Sequence, residues 1–325
     1  MDLETLTILQ IIPNLGAGGA EQACVDVAAG LKAAGHRAIV VSAGGARVAE
    51  ITRVGGEHIL RSVNSKNPII MLVNALWLAR LIKERKIDIV HARSRAPAWT
   101  AYWATRLTAC QFVTTFHAAY KFSNPIKKFY NSVMAKADRM IAISNFIARY
   151  ITENYGVDPS IITVIPRGID LDKYNPEKIT AERRTALQEK WGVKEGERII
   201  LLPSRISPIK GQSILIEAMA MLPPECADVT AVILGDDQGR AGYRQELDAL
   251  IAAHNLQSRV KIVAHCNDMP TAYSLATIVV APSLVPEGFG RTPVEAMAMG
   301  IPVIVSDSGG LSETVQSDDI GQRAP

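Results

Sequence analysis

Glu287 and Glu295 stand eight positions apart in LVPEGFGRTPVEAMAMGIP, residues 284–302. Thr292-Pro-Val-Glu295 fits a helix start, with Thr as N-cap, Pro at the first position and Glu reaching back to complete a capping box. Gly300 and Pro302 would end that helix. Glu295 therefore has a structural role open to it. Glu287 has none, because it precedes Gly-Phe-Gly in a loop where water could satisfy it. Two cations, Arg205 and Lys210, lie in SRISPIKGQ, just after the apolar run RIILLP and beside a helix start near Gln212. There they make a site for a diphosphate, since Arg grips phosphate oxygens bidentately and Lys acts as a point charge. The P-loop spacing is absent, and two loop cations alone are commonly just solvated.

Other loops carry the same kind of residue. NLGAGGAEQ, residues 14–22, is a glycine-rich turn able to bring backbone N–H groups and a helix end to a phosphate or sugar. It breaks the dinucleotide fingerprint, because Glu21 replaces the third glycine and no acid ends the next strand, so a nicotinamide-cofactor reading is weak. A turn that merely needs glycine remains open. Gly235 ends VTAVIL and admits close approach to the backbone. SDSGGLSETV places a glycine pair before a helix, with Ser312, Glu313 and Thr314 nearby.

These loops need a scaffold, and apolar runs alternating with helical stretches supply one. Strands are expected near 6–12, 38–43, 57–60, 87–91, 111–115, 139–143 and 161–165. Helices are expected over 20–34, 68–85, 96–108, 125–136 and 145–155. A polar helix near 180–191 follows, and the alternation resumes with strands near 198–203, 229–234, 259–263, 277–281 and 302–306. The economical fold is α/β: two Rossmann-like, doubly wound parallel-sheet domains, 1–170 and 171–325, facing across a cleft. In such sheets ligands sit beyond the carboxyl ends of the strands.

The 325 residues, 48% of them hydrophobic, suffice for two cores. Cys24, Cys110, Cys226 and Cys266 form no C-x-x-C pair, which points away from a disulfide framework or zinc site and toward a reducing cytoplasm. MDLETLTILQ lacks the positive charge of a secretory signal. Ile69 to Leu81 is too short and too interrupted to span a bilayer. Net charge is +8 over residues 1–170 and −5 over 171–325, so the first domain is expected to meet something anionic, such as a phosphorylated acceptor or a lipid surface. An idle basic face would show the same balance. GQRAP after Ile320 resembles the middle of a loop or strand, and the chain is expected to be incomplete there.

E-G-F-G-R-T-P-V-E resembles the E-x7-E signature of retaining glycosyltransferases of the GT-B fold, group 1 or GT4. GGAEQ at 18–22, FH at 116–117, AISN at 142–145, VIPRGID at 164–170, SRISPIKG at 204–211 and GIPVIVSDSGGLSE at 300–313 extend the resemblance over nearly the whole chain. It implies transfer of a sugar from a nucleotide-sugar donor, UDP- or GDP-linked, with no cofactor and no metal. By this resemblance Arg205 and Lys210 would hold the donor diphosphate, Glu295 the ribose and Glu287 the transferred sugar. Phe289 and Gly290 would offer backbone N–H groups, Gly18 and Gly19 would admit the donor, and His117 would touch its sugar. Asp170-Leu-Asp172 reads as a cap or hinge, not a metal site. His265 stands where the family often has glycine, and further C-terminal helices are usual in the family.

A glycan or glycolipid acceptor, no nucleic acid, and assembly of lipopolysaccharide or envelope polysaccharide are the implied setting. KFSNPIKKFYNSVMAKADR, residues 121–139, reads as an amphipathic basic helix that could contact the inner face of the cytoplasmic membrane, or as an ordinary surface helix. His91, Arg93 and Arg95, taken as just past the strand IDIVH, could bind an anionic acceptor. The competing readings are a nucleotide-sugar epimerase on the same fold and a non-catalytic nucleotide-sugar-binding module.

Overall fold

A computed structural model describes residues 5–16, 18–237, 239–264 and 266–325, so His265 and Ala17 of the glycine-rich turn lie outside the described residues. The chain divides into two compact units, Met1–Arg167 and Gly168–Pro325.

In the first unit β1 (Thr7–Ile11), β2 (Arg37–Ser42), β3 (Glu57–Leu60), β4 (Ile89–Ala92), β5 (Gln111–Phe116), β6 (Arg139–Ala142) and β7 (Ile162–Val164) form one parallel sheet in the order β3-β2-β1-β4-β5-β6-β7. The helices are α1 (Gly19–Ala33), α2 (Val48–Arg53), α3 (Pro68–Arg85), α4 (Arg95–Arg106), α5 (Pro125–Ser132) and α6 (Asn145–Tyr155). Every residue of β1 is buried, as expected of a parallel strand covered on both faces. Its one amide, Gln10, is accommodated because its side chain donates to the Cys24 carbonyl of α1 at 3.0 Å. Local chemistry sets the helix ends. The Asn67 side chain accepts from the Ile69 N–H with Pro68 in the first turn of α3, and Ser144 accepts from the Ile147 N–H at the start of α6, which stops at left-handed Gly156.

The second unit repeats the design with β8 (Arg198–Pro203), β9 (Val229–Leu234), β10 (Val260–Val263), β11 (Ile278–Ala281), β12 (Val303–Ser306) and β13 (Gly321–Ala324), ordered β10-β9-β8-β11-β12-β13. Its helices are α7 (Ala181–Trp191), α8 (Gln212–Met221), α9 (Ala241–Ala253), α10 (Met269–Leu275), α11 (Arg291–Ala298) and α12 (Leu311–Thr314). Leu201 and Val232 enter one core cluster while their neighbours Leu202 and Ile233 enter another. Period-two alternation thus fills both faces of the sheet.

Two expectations change, and one helix is new. β4 begins at Ile89 and ends at Ala92, so His91, the last residue of the expected run 87–91, is a strand residue and not one just past the strand with Arg93 and Arg95. The single helix expected over 125–136 is α5 followed by a tighter 3-10 turn, Val133–Lys136. α2 had no counterpart in the sequence reading, being only six residues long with a single buried one, Ile51. GQRA, expected as the middle of a loop or strand, is the strand β13, paired in parallel with β12.

Candidate functional site

Strand order reverses between β1 and β4 in the first sheet, and between β8 and β11 in the second. Such reversals leave a crevice at the carboxyl ends, because the crossovers on either side pack on opposite faces. The chemically capable residues gather at both.

In the second unit, the β8 end carries Arg205 and Lys210 and the β11 end carries Glu287. Lys210 Nζ donates to Glu287 Oε1 at 2.6 Å, with about a fifth of each side chain exposed, and the Ser283 hydroxyl donates to the same oxygen. Glu287, read from the sequence as a loop carboxylate that water could satisfy, is instead held by a cation and a hydroxyl. Arg205 is exposed, and its guanidinium makes no hydrogen bond or ion pair among the described residues. Backbone packing sets both cations. A Cβ on Gly211, whose φ is +69°, would fall 1.9 Å from the Pro282 carbonyl oxygen, so only glycine lets the Lys210 loop lie against the β11 end. A Cβ on Gly235 would fall 2.0 Å from the Ser204 carbonyl oxygen, so the β9 end supports the Arg205 loop by direct backbone contact. The Gly310 N–H donates to the Glu287 carbonyl at 2.8 Å, tying the glycine pair after β12 to the loop of Glu287.

The capping box does not form. Gly290, at φ 89°, is the N-cap of α11, and no side chain caps it. The Thr292 hydroxyl donates to the Pro203 carbonyl at 3.2 Å, binding α11 to the β8 end. Glu295 is held elsewhere: Tyr273 donates to Oε2 at 2.9 Å and Arg291 Nε to Oε1 at 3.1 Å. With the helix starting two residues earlier than the Thr-Pro pattern implied, Glu295 lies past the first turn. Tyr273 is wholly buried; burial, then the charge of Glu295, raises its phenol well above the usual value. Phe289 is half-buried beside Gly290. Asp170 accepts from the backbone N–H groups of Asp172 and Lys173, and Asp172 pairs with Lys178, so the D-x-D is spent on a local turn.

In the first unit, Gly18 is the N-cap of α1 and Gly19 its first residue. Arg167, just after β7, donates to the Gly19 carbonyl and, at 2.7 Å, to His117 Nδ1. Because arginine only donates, His117 Nδ1 is the accepting nitrogen and Nε2 carries the proton. Burial, then the charges of Arg167, Arg93 and His91, hold this imidazole well below its ordinary pKa, hence neutral. Its Nε2 is buried with no hydrogen-bond partner among the described residues.

The expected trio separates. His91 is buried in β4, its Nε2 meeting Thr115 Oγ1 at 2.7 Å. Arg95 donates to Asn131 and stacks over Tyr120 and Tyr130. Arg93, 3% exposed, donates from Nε to Gln10 at 2.6 Å and leaves Nη2 without a partner among the described residues. Arg167 and Tyr273 were not singled out as site residues. Arg167 had a signal, a cation directly after a strand; Tyr273 had none, since a buried tyrosine on a helix reads as core.

Residues 17–173 match Glycosyltransferase Family 4 and residues 183–322 match Glycosyl transferases group 1. A glycosyltransferase from Rickettsia africae ESF-5 superposes with TM-score 0.89 at 39% identity, covering 99% of this chain and 84% of that one. Anabaena Alr3699/HepE, solved in complex with UDP and glucose, superposes with TM-score 0.84 at 26% identity, covering 98% and 85%. The D-inositol 3-phosphate glycosyltransferase of Xylanimonas cellulosilytica is 35% identical over 193 residues, 58% of this chain. The chain spans less than half the length of that relative, 45%.

Proposed function

This chain belongs to the group 1 glycosyltransferases of GT-B fold, and on that premise we propose that it transfers a glycosyl group, with retained anomeric configuration, from a nucleotide-sugar to a glycan or glycolipid acceptor. The observation that carries the proposal is the convergence of Arg205, Lys210 and Glu287 on the β8/β11 crevice. Arg205 and Lys210 take the donor diphosphate. As the bond from the anomeric carbon to phosphate oxygen breaks, the acceptor hydroxyl oxygen takes that carbon and its proton leaves with the nucleoside diphosphate. Charge grows on the departing phosphate, and fixed cations stabilise it most at that moment. The two side chains stand in for a metal, so the reaction needs none. Glu287 binds hydroxyls of the transferred sugar while its ion pair keeps Lys210 in place. Glu295 accepts from the ribose, Phe289 and Gly290 offer backbone N–H groups, Gly18 and Gly19 admit the donor, and His117 donates from Nε2 to the sugar.

UDP-glucose is the first donor to try, because the related Anabaena protein was solved with it. The acceptor belongs to envelope-polysaccharide or lipopolysaccharide assembly and is met at the inner face of the cytoplasmic membrane. Support comes from α5, where Ile126 is 81% and Phe129 63% exposed beside exposed Lys127 and Lys128. No helix of the described residues is long and apolar enough to cross a membrane, so such a contact would be peripheral.

The test is nucleotide release from a panel of UDP-, GDP- and ADP-sugars. Arg205→Ala should cut turnover about 100-fold or more, the scale for losing one transition-state donor, and Glu287→Ala should also lower it, because the sugar loses an acceptor and Lys210 its tether. Unchanged turnover in either variant overturns the assignment. An inverted product anomer by proton NMR overturns retention.

A further inference from the structure

The crevice of the first unit holds a buried cation, Arg93, that pairs with no carboxylate among the described residues. Arg93 leaves β4 at the β1/β4 reversal and is fixed by Gln10, itself fixed on the Cys24 carbonyl. Its Nη2 is buried and unpartnered, and no carboxylate forms an ion pair with it among the described residues. Burial is the main influence on its guanidinium and lowers its pKa; the Cys24 thiol and Asp26 act the other way. Asp26 lies exposed on α1, hydrogen-bonded to Gln22. Leaving a guanidinium half-satisfied in the interior is costly, and folds tolerate it where a ligand completes it.

Three neighbours have the same polarity. α4 opens directly after Arg93, its N-cap Ser94 making no side-chain cap and its first turn carrying no acid, so its positive end is unmatched. His117 is close enough for Arg93 to lower its basicity, and its Nε2–H, unpartnered among the described residues, is the one given above to the transferred sugar. Arg167 stands behind that imidazole. The crevice therefore offers donors and positive charge, with His91 already occupied by Thr115.

We propose that this β1/β4 crevice binds an anionic group, phosphate or carboxylate, carried by the acceptor, with Arg93 Nη2 and the α4 N-terminus as its anchor. The inference rests on the glycosyltransferase reading and specifies the acceptor's chemistry. Arg93 fixes the acceptor and takes no part in bond making. Arg95, held by Asn131 and two tyrosines, orders the base of α4 instead.

The experiment titrates the full chain with glucose, glucose 6-phosphate and glucuronate by calorimetry, in saturating UDP so that the cradle of Arg205 and Lys210 is occupied. At least one charged probe should bind ten times or more tighter than glucose, and the two charged probes separate phosphate from carboxylate. Arg93→Met should abolish that preference while its Tm holds or rises, because a buried unpaired charge is replaced by an apolar chain of similar length. If Arg93→Met does not fold, Arg93→Gln takes its place with the same expected loss. Charged probes binding no better than glucose, or a preference that survives the substitution, overturns the inference. UDP itself separates the two readings. A wild-type chain that UDP fails to stabilise counts against the donor site, and the probes are then compared without nucleotide.

Discussion

Glu287 and Glu295 look alike as residues and differ in what holds them. Glu287 shares one oxygen between Lys210 and Ser283, so it is tethered to the cation that it helps to place. Glu295 is held by Tyr273 and Arg291 on separate oxygens, which fixes the carboxylate plane in a side chain 13% exposed. A hydrogen bond to a charged group contributes about 1.5–3 kcal/mol. Tyr273→Phe should therefore lower stability by up to that amount and raise the donor KM several-fold, with kcat changed less, since Glu295 would lose orientation but keep its charge. Steady-state kinetics with thermal melts checks this; a kcat loss with unchanged KM would show that Glu295 acts on the reacting atoms. Thr292-Pro-Val-Glu295 was a sound pattern for a cap, yet the Thr292 hydroxyl found the Pro203 carbonyl of another strand. Partners far along the chain outcompete local ones whenever the fold brings them within reach, and no local pattern records them.

At the scale of elements, short loops on rigid strands do the positioning. Gly211 and Gly235 are contact points where backbone meets backbone, so the two cation loops are set by the strands next to them. α5 shows a different case, an element whose apolar side chains point outward. Its Phe129 stacks on Trp99 at 5.3 Å while remaining largely exposed, the disposition of a helix that lies on an interface. Ile126→Ser combined with Lys127→Glu should reduce co-sedimentation with phosphatidylglycerol vesicles several-fold and leave binding to neutral vesicles unaffected. Equal sedimentation of variant and wild type would return α5 to the role of an ordinary surface helix. Strand and helix positions were legible because apolar periodicity is strong. α2 escaped notice because six residues carry too few apolar contacts to leave a pattern.

For the whole molecule, the distribution of buried titratable groups sets how stability depends on pH. His91 and His117 both have pKa values pushed well below 6.5, chiefly by burial and then by neighbouring arginines. In the folded chain they stay neutral, whereas in the unfolded chain they take up protons as pH falls through about 6.5. The unfolded state then binds more protons, so stability is fully present above that pH and is lost below it. Thermal melts should show Tm falling from pH 7 to pH 5, and His117→Gln should flatten the slope. A slope unchanged by that substitution would mean His117 is protonated in the fold.

Sequence by itself determined the α/β class, most element positions, and which loops carry cations, glycines and carboxylates, because periodicity and turn chemistry act between residues close along the chain. Only the tertiary structure decided what those residues meet. It paired Lys210 with Glu287 across 77 positions, sent Glu295 to Tyr273, set His91 against Thr115, and buried Arg93 with one donor unpartnered among the described residues at the point where strand order reverses. These outcomes depend on which strands lie side by side, and strand order follows from how whole helices and sheet faces pack, a property that no short window of residues contains.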